Sequence, residues 1–484
     1  VTAPAVRSLL GGGVTMLGVS VVTRALALAQ SVLVARLLDP HHVGLFAIVT
    51  YVVGVVAMIA DLGIPTAAAR LTAASRRDSS FGLSAIVRTM AALMVAVAIA
   101  AGMAVAVAAG WLARVYGEPS LAPLFRWAAL FVATSLVGAV ISGLLQGLER
   151  IERLAGIAIL KGVLVLLGSA VLVPILGLVG VLVASTVAEV IAWCAALSPL
   201  HVAYRAASRG TLRAVDARML WRAGGTALPV FLNGLALWGT ALLVRSALAT
   251  SGGFTDIGYF QIADSVARVV ALVPAALAVP LMPLLASDPG RARTLVGPAI
   301  RIAVLGALLP ALFLSVAAGP LIGALYGPVY LPAATIAAVL VFVAFLQTIG
   351  TIVWTVLVGG GNAWTGFAVQ ATGYVALAVL VMVLVPSFGL TGATSAYLAS
   401  AAIATAASVW YLRRIPGATS PDLWRAGWIA ALGWLLVAAW YVVGIVGALP
   451  ALATVTIVAA VGWRPFGRTA FERVRVTLGR HAAA

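Results

Sequence analysis

Residues 43–56 read VGLFAIVTYVVGVV, and residues 257–270 read IGYFQIADSVARVV. Gly44 matches Gly258, Phe46 matches Phe260, Ile48 matches Ile262, and three valines follow in step, an offset of 214 (258 − 44). A second pair, PILGLVGVLVAS from Pro174 and PSFGLTGATSAY from Pro386, shares the frame P-x-x-G-L-x-G-x-x-x-A at an offset of 212 (386 − 174). In a chain this rich in Gly, Ala, Val and Leu, one match carries little weight. Two matches at nearly the same spacing point to a duplicated unit. Self-similarity of this kind decides the architecture of a chain built from repeats.

Composition sets the class. The 484 residues are 63% hydrophobic and 9% charged, with a mean hydropathy of +1.15, whereas a soluble surface needs about a quarter of its residues charged. The chain reads as an all-α integral membrane protein. Its net charge of +17 would suggest nucleic acid in a soluble chain, but here the arginines fall in short gaps between apolar runs and serve topology. Cys194 is the only cysteine, which excludes an intrachain disulfide framework and a cysteine metal site. The N-terminal run reads as a retained first helix, with no convincing cleavage site.

At about 20 apolar residues per crossing, the chain holds about fourteen spans. Gaps holding Arg70, Arg76 and Arg77, then Arg150 and Arg153, then Arg205 to Arg222, then Arg291 and Arg293, then Arg413 and Arg414 alternate with gaps free of basic residues, such as GPVYLP. The positive-inside rule therefore puts both termini in the cytoplasm. Six spans per copy is an even number, so the copies share one orientation and are related by an axis along the membrane normal. The expected organisation is a first six-helix lobe over 1–200, a basic cytoplasmic linker over 201–222 and a second six-helix lobe over 223–413. Two C-terminal helices over 414–465 and a basic cytoplasmic tail over 466–484 follow. The two lobes are expected to surround a central cavity.

Within this frame, ARLLDPHHVGLFAIVTYVVGVVAMIADLGIPTAAARL at 35–71 resembles the first hairpin of the polysaccharide-exporter branch of the multidrug/oligosaccharidyl-lipid/polysaccharide (MOP) flippase superfamily. The shared elements are A-R-x-L-x-P, G-x-F opening the second helix, and D-L-G-(I/L) near its inner end. GLLQGLER at 143–150 is similar to the fourth-helix exit of that family. The resemblance implies two lobes that alternate between inward-facing and outward-facing states, and a cargo of polyprenyl-pyrophosphate-linked oligosaccharide moved to the outer leaflet of the bacterial cytoplasmic membrane. Membrane lipids, and glycosyltransferases or a polymerase of the same pathway, are the partners such a role implies. Two relatives of that reading are a peptidoglycan-precursor (lipid II) flippase and a cation-coupled multidrug exporter.

Intramembrane charges are expensive and mark function by default. Arg24 lies near the middle of the first span and Arg268 near the middle of the eighth, one per lobe. Two guanidinium forks match a pyrophosphate, which they can bind bidentately without ever deprotonating. Asp264 precedes Arg268 by four residues, so the two share a helical face and can pair. Lys161, the only lysine, and Glu189 lie inside the fifth and sixth spans and are candidates for an interhelical ion pair or for ion coupling. Asp61 closes the DLG turn and is a candidate anchor toward Arg70 or Arg88. Arg36, Arg126 and Arg245 lie near the outer boundary, where they are expected to snorkel or to receive the headgroup. Asn233, Gln30, Gln261, Gln347 and Gln370 bond a neighbouring helix or a sugar. The chain has no P-loop, no D-x-D and no H-E-x-x-H, so it reads as a protein without an enzymatic reaction, and no cofactor or metal is expected.

Overall fold

The structure is a computed structural model, and it describes residues 3–77, 83–207, 227–287, 292–414 and 434. The linker expected at 201–222 lies largely outside the described residues, as do the two C-terminal helices and the basic tail. Among the described residues the secondary structure is entirely helical. A bilayer imposes this, because every backbone N–H and C=O must find its partner within the chain. In order, the helices are α1 Ala3–Leu37, α2 Pro40–Asp61, α3 Ile64–Arg77, α4 Leu83–Val115, α5 Leu121–Gly147, α6 Ile151–Leu176 and α7 Leu178–Ala207. They continue with α8 Ala227–Ser251, α9 Phe254–Ala267, α10 Leu272–Ser287, α11 Ala292–Leu325, α12 Ala333–Gly359 and α13 Ala363–Leu412. Nine of the described segments are long and apolar enough to cross a membrane.

The duplication is visible in the backbone. α5 and α12 are each 27 residues long and begin 212 positions apart (333 − 121). α6 ends at Gly177, with φ 58° and ψ −138°, and the long α13 is kinked at Gly389, with φ 52° and ψ −127°. Only glycine enters that region without strain. Each kink follows a proline three residues earlier, Pro174 or Pro386, whose ring blocks the preceding turn and whose missing N–H weakens it. The shared P-x-x-G-L motif is therefore a pair of matched corners that turn one span into the next.

Other breaks also have local causes. Asp39 caps α2, its carboxylate accepting the His42 N–H at 2.8 Å, with Pro40 in the first turn, as favourable helix starts require. Its acidity is the balance of partial burial, which raises the pKa, against the His42 hydrogen bonds and charge, which win and hold it below the usual carboxylate range. α2 stops at Leu62 and Gly63, both with positive φ, so the DLG motif is a left-handed helix stop. The eighth span is not the single helix expected over 257–286. It divides into α9 and α10 around residues 268–271, where N–H groups bond carbonyls three residues back, as in Val269 to Val266 at 3.2 Å and Val270 to Ala267 at 3.1 Å. Pro274 explains the break, because its ring would strike the Val270 carbonyl of a continuous α-helix.

By contacts the chain divides into two compact units, one Gly18–Ile257 and the other Val1–Leu17 with Gly258–Ala484. In the first, α5 is the central element: α3, α4 and α7 pack on it, and α6 packs along α7. Its inward face is Leu121, Phe125, Ala128, Val132 and Leu136, all buried. α8 packs on α2 in this same unit. In the second unit α12 takes the place of α5, with α10, α11 and α13 around it.

Candidate functional site

In the second unit, Arg268 and Asp264 pair across one turn. The guanidinium donates to Asp264 Oδ2 through Nε at 3.2 Å and Nη2 at 2.7 Å. The Arg268 side chain is 60% exposed and that of Asp264 22%. The pair stands where α9 ends and the tight turn toward α10 begins, so the arginine lies at a helix C-terminus, whose unpaired carbonyls favour a cation. Such a mid-span interruption lets the chain bend. The structure thus places an exposed cation, paired with Asp264, at the break between two helices.

In the first unit, Lys161 of α6 and Glu189 of α7 form an interhelical ion pair through Nζ and Oε2. Glu189 is nearly buried, with its side chain 7% exposed, and Lys161 is 39% exposed. Beside them lies a cavity of about 150 Å³ walled by α5, α6 and α7, with Ser142 and Trp193 on its lining. Gly138 of α5 gives the carboxylate its room, because a Cβ there would collide with Glu189 Oε1. The Trp193 indole Nε1 is buried and has no hydrogen-bond partner among the described residues.

The remaining residues singled out from sequence are more scattered. Arg24 of α1 is exposed, and no ion pair to it is formed among the described residues. Arg36 and Arg126 are exposed, in the last turn of α1 and the second turn of α5. Asp61 ends α2 and accepts a hydrogen bond from the Gly63 N–H; its Oδ1 is buried without a hydrogen bond. Arg245 departs from expectation. It does not snorkel: it is fully buried, its guanidinium 3.5 Å from the centre of the Tyr51 ring, donating to Tyr51 Oη at 2.8 Å and to the Ala241 carbonyl at 3.1 Å. The reading from sequence did not place the azimuth of this residue, because α8 turns that face onto α2.

Sequence reasoning also missed Tyr51, Gly138 and Trp193. Tyr51 is half of a buried cation–π pair, and in the same unit Tyr116 Oη lies 2.8 Å from Ser246 Oγ, a second polar tie to α8. A tyrosine or glycine in an apolar run carries no signal of its own. Trp193 had one: it follows Glu189 by four residues and so shares its helical face.

Comparison with known proteins fits this architecture. The family model described as "Polysaccharide biosynthesis protein" matches residues 9–286, more than half of the chain. A comparison with curated proteins finds no match. Among solved structures, an inward-facing multidrug resistance MATE family transporter of the MOP superfamily aligns at 16% identity and TM-score 0.68, covering 81% of this chain and 94% of its own. The lipid II flippase MurJ in an inward closed conformation aligns at 11% identity and TM-score 0.70, covering 92% and 98%. A MOP superfamily transporter from Pyrococcus furiosus, whose structure is described as having reversed binding-pocket polarity, aligns at 17% identity and TM-score 0.62, covering 85% and 96%. The chain is a multi-pass membrane protein with the MOP transporter fold, and it belongs to the polysaccharide biosynthesis protein family.

Proposed function

We infer that this protein is a flippase that moves a polyprenyl-pyrophosphate-linked oligosaccharide from the inner to the outer leaflet of a bacterial cytoplasmic membrane, with both termini cytoplasmic, for cell-surface polysaccharide synthesis. The observation that carries the reading is the Arg268–Asp264 pair at the break in the eighth span of a chain of the polysaccharide biosynthesis family. A pyrophosphate cannot cross hydrocarbon unaided, since desolvating an isolated ionised group costs on the order of tens of kcal/mol. A guanidinium fork replaces the lost water with directed hydrogen bonds to phosphate oxygens. Arg268 in one unit and Arg24 in the other are the candidate ligands, and Asp264 is the internal anion that cargo phosphate displaces. Arg36 and Arg126, both exposed, are candidates for headgroup contacts near the outer boundary.

No nucleotide-hydrolysing step is needed. Carrying two negative charges outward across about 100 mV, inside negative, is favourable by about 4.6 kcal/mol at roughly 2.3 per charge. Deleting the gene tests the reading. Lipid-linked oligosaccharide should accumulate on the inner leaflet while susceptibility to cationic drugs stays unchanged. Normal surface glycan with lost dye efflux would overturn it in favour of a drug exporter, and accumulation of cell-wall precursor in favour of a lipid II flippase.

A further inference from the structure

The cavity beside Lys161 and Glu189 is not needed to bind a pyrophosphate, and its chemistry is of another kind. We propose that it is a sugar subsite, which takes one neutral pyranose unit of the cargo. This rests on the flippase reading above and deepens it.

Size comes first. At about 150 Å³, the cavity has the volume of an engineered protein cavity that accepts benzene, so it admits the ring of one sugar and leaves the exocyclic groups at its edge. Polarity comes second. An apolar void of this size stays dry, but this one is lined by a carboxylate, an ammonium, an indole and a hydroxyl together with aliphatic side chains such as Ile157. A pyranose offers both kinds of surface, with hydroxyls around its rim and C–H groups on its faces. Small-ligand sites are commonly built this way, mostly apolar with a few convergent polar groups.

The polar atoms also converge. The bare face of Gly138 meets Glu189 Oε1, and Trp193 Nε1 lies 2.9 Å from the position a Cβ would take. A buried N–H without a partner is rare in folded proteins and calls for an acceptor. A sugar hydroxyl serves both groups at once, accepting from the indole and donating to the carboxylate, as neither a bare cation nor a second carboxylate would. Lys161, more exposed than its partner, pairs with Glu189 and can itself donate. Water filling the same space would be displaced by hydroxyls that reproduce its hydrogen bonds. The preference for a neutral sugar follows from Glu189, which already carries the negative charge that Lys161 balances.

The test uses the full-length protein in nanodiscs and saturation-transfer NMR with methyl β-D-glucopyranoside and methyl β-D-glucuronide as probes. The neutral glycoside should bind with a dissociation constant on the order of 1 mM, as expected of a ligand with about a dozen heavy atoms. Trp193→Phe keeps the ring and loses the donor, and should weaken binding about tenfold. Ile141→Trp, which fills the cavity from an apolar position, should abolish it. Should either variant fail to fold, Ser142→Val offers the same reading with a smaller change in shape. No binding by the wild type, wild-type binding in folded Trp193→Phe and Ser142→Val, or equal binding of the glucuronide would each overturn the proposal.

Cellular export separates the sources of the sugar. Trp193→Phe should slow export of lipid-linked oligosaccharide; unchanged export alongside lost glycoside binding would overturn assignment of the sugar to the cargo. The deletion test above is independent: if it fails, the protein is not this flippase whatever glycosides it binds.

Discussion

The two copies of the duplicated unit solve the same packing problem with different chemistry. Gly138 and Gly350 lie at equivalent places on α5 and α12, 212 residues apart (350 − 138). Around Gly138 stand the Glu189 carboxylate and the Trp193 indole. Around Gly350 stand Gln370, its Oε1 3.2 Å from an ideal Cβ, and Ser408 Oγ at 3.7 Å. At the same offset Lys161 corresponds to Gly373, which packs on Ala404, and Glu189 corresponds to Ala401, which is 2% exposed. One wall is charged and borders a cavity; its counterpart carries neutral groups. The corners at Gly177 and Gly389, by contrast, keep nearly the same dihedrals. At these places the corner geometry is what the repeats share, and polarity is where they have diverged.

The sharpest way to break this comparison is to strand the charge. Lys161→Ala leaves the nearly buried Glu189 carboxyl without its cation and should cost about 3 kcal/mol, the low end for breaking a buried pair because Lys161 is partly exposed. Gln370→Leu in the neutral wall should cost about 1 kcal/mol. Thermal unfolding in detergent would compare them. The double change Lys161→Gly with Glu189→Ala, which writes the second wall into the first, should recover most of the loss. Equal costs for the two single changes would show that the walls do not differ as described.

Next in size is the buried cation. Tyr51→Leu removes both the ring beneath Arg245 and its hydroxyl partner, and should cost about 2 kcal/mol, the value of a desolvated cation–π contact. Unchanged thermal stability would mean that α8 is held to α2 by apolar contact alone. Smaller again is the contrast between Gly138→Ala, which overpacks Glu189 at about 1–3 kcal/mol, and Gly350→Ala, where the flexible end of Gln370 can yield and the cost should stay under about 1 kcal/mol.

Much of this was legible in the chain because hydrocarbon leaves few options. Charge-poor runs become helices, the repeated P-x-x-G-L becomes a repeated corner, and Lys161 and Glu189, deep in adjacent spans, have little but each other to neutralise them. What was not legible depends on rotation about a helix axis and on space. Nothing in ALLVRSAL says that the face bearing Arg245 meets Tyr51. The hollow at Gly138 exists only once three helices are assembled. The break after Ala267 did have a signal in Pro274, outweighed in the sequence reading by the unbroken apolar run around it.

The smallest effect on stability should come from Arg268 and Asp264, and that smallness is what makes the pair informative. An i,i+4 pair as exposed as this one contributes about 0.3–0.5 kcal/mol, so Arg268→Gln should insert and unfold much like the wild type, unlike Lys161→Ala in the other unit. If the pair serves only to neutralise itself, Asp264→Asn combined with Arg268→Gln removes both charges together and export should be normal. If Arg268 grips the pyrophosphate, the double variant should be well folded and inactive, and Arg268→Lys should retain part of the activity, because an ammonium keeps the charge without the bidentate fork. Arg24→Gln should match the double variant, since no acid pairs with it among the described residues. Lipid-linked glycan export, normalised to membrane expression, reads all four. Wild-type export by the double variant would reduce this pair to a structural contact and leave the charged wall at Glu189 as the chief polar asymmetry between the two copies.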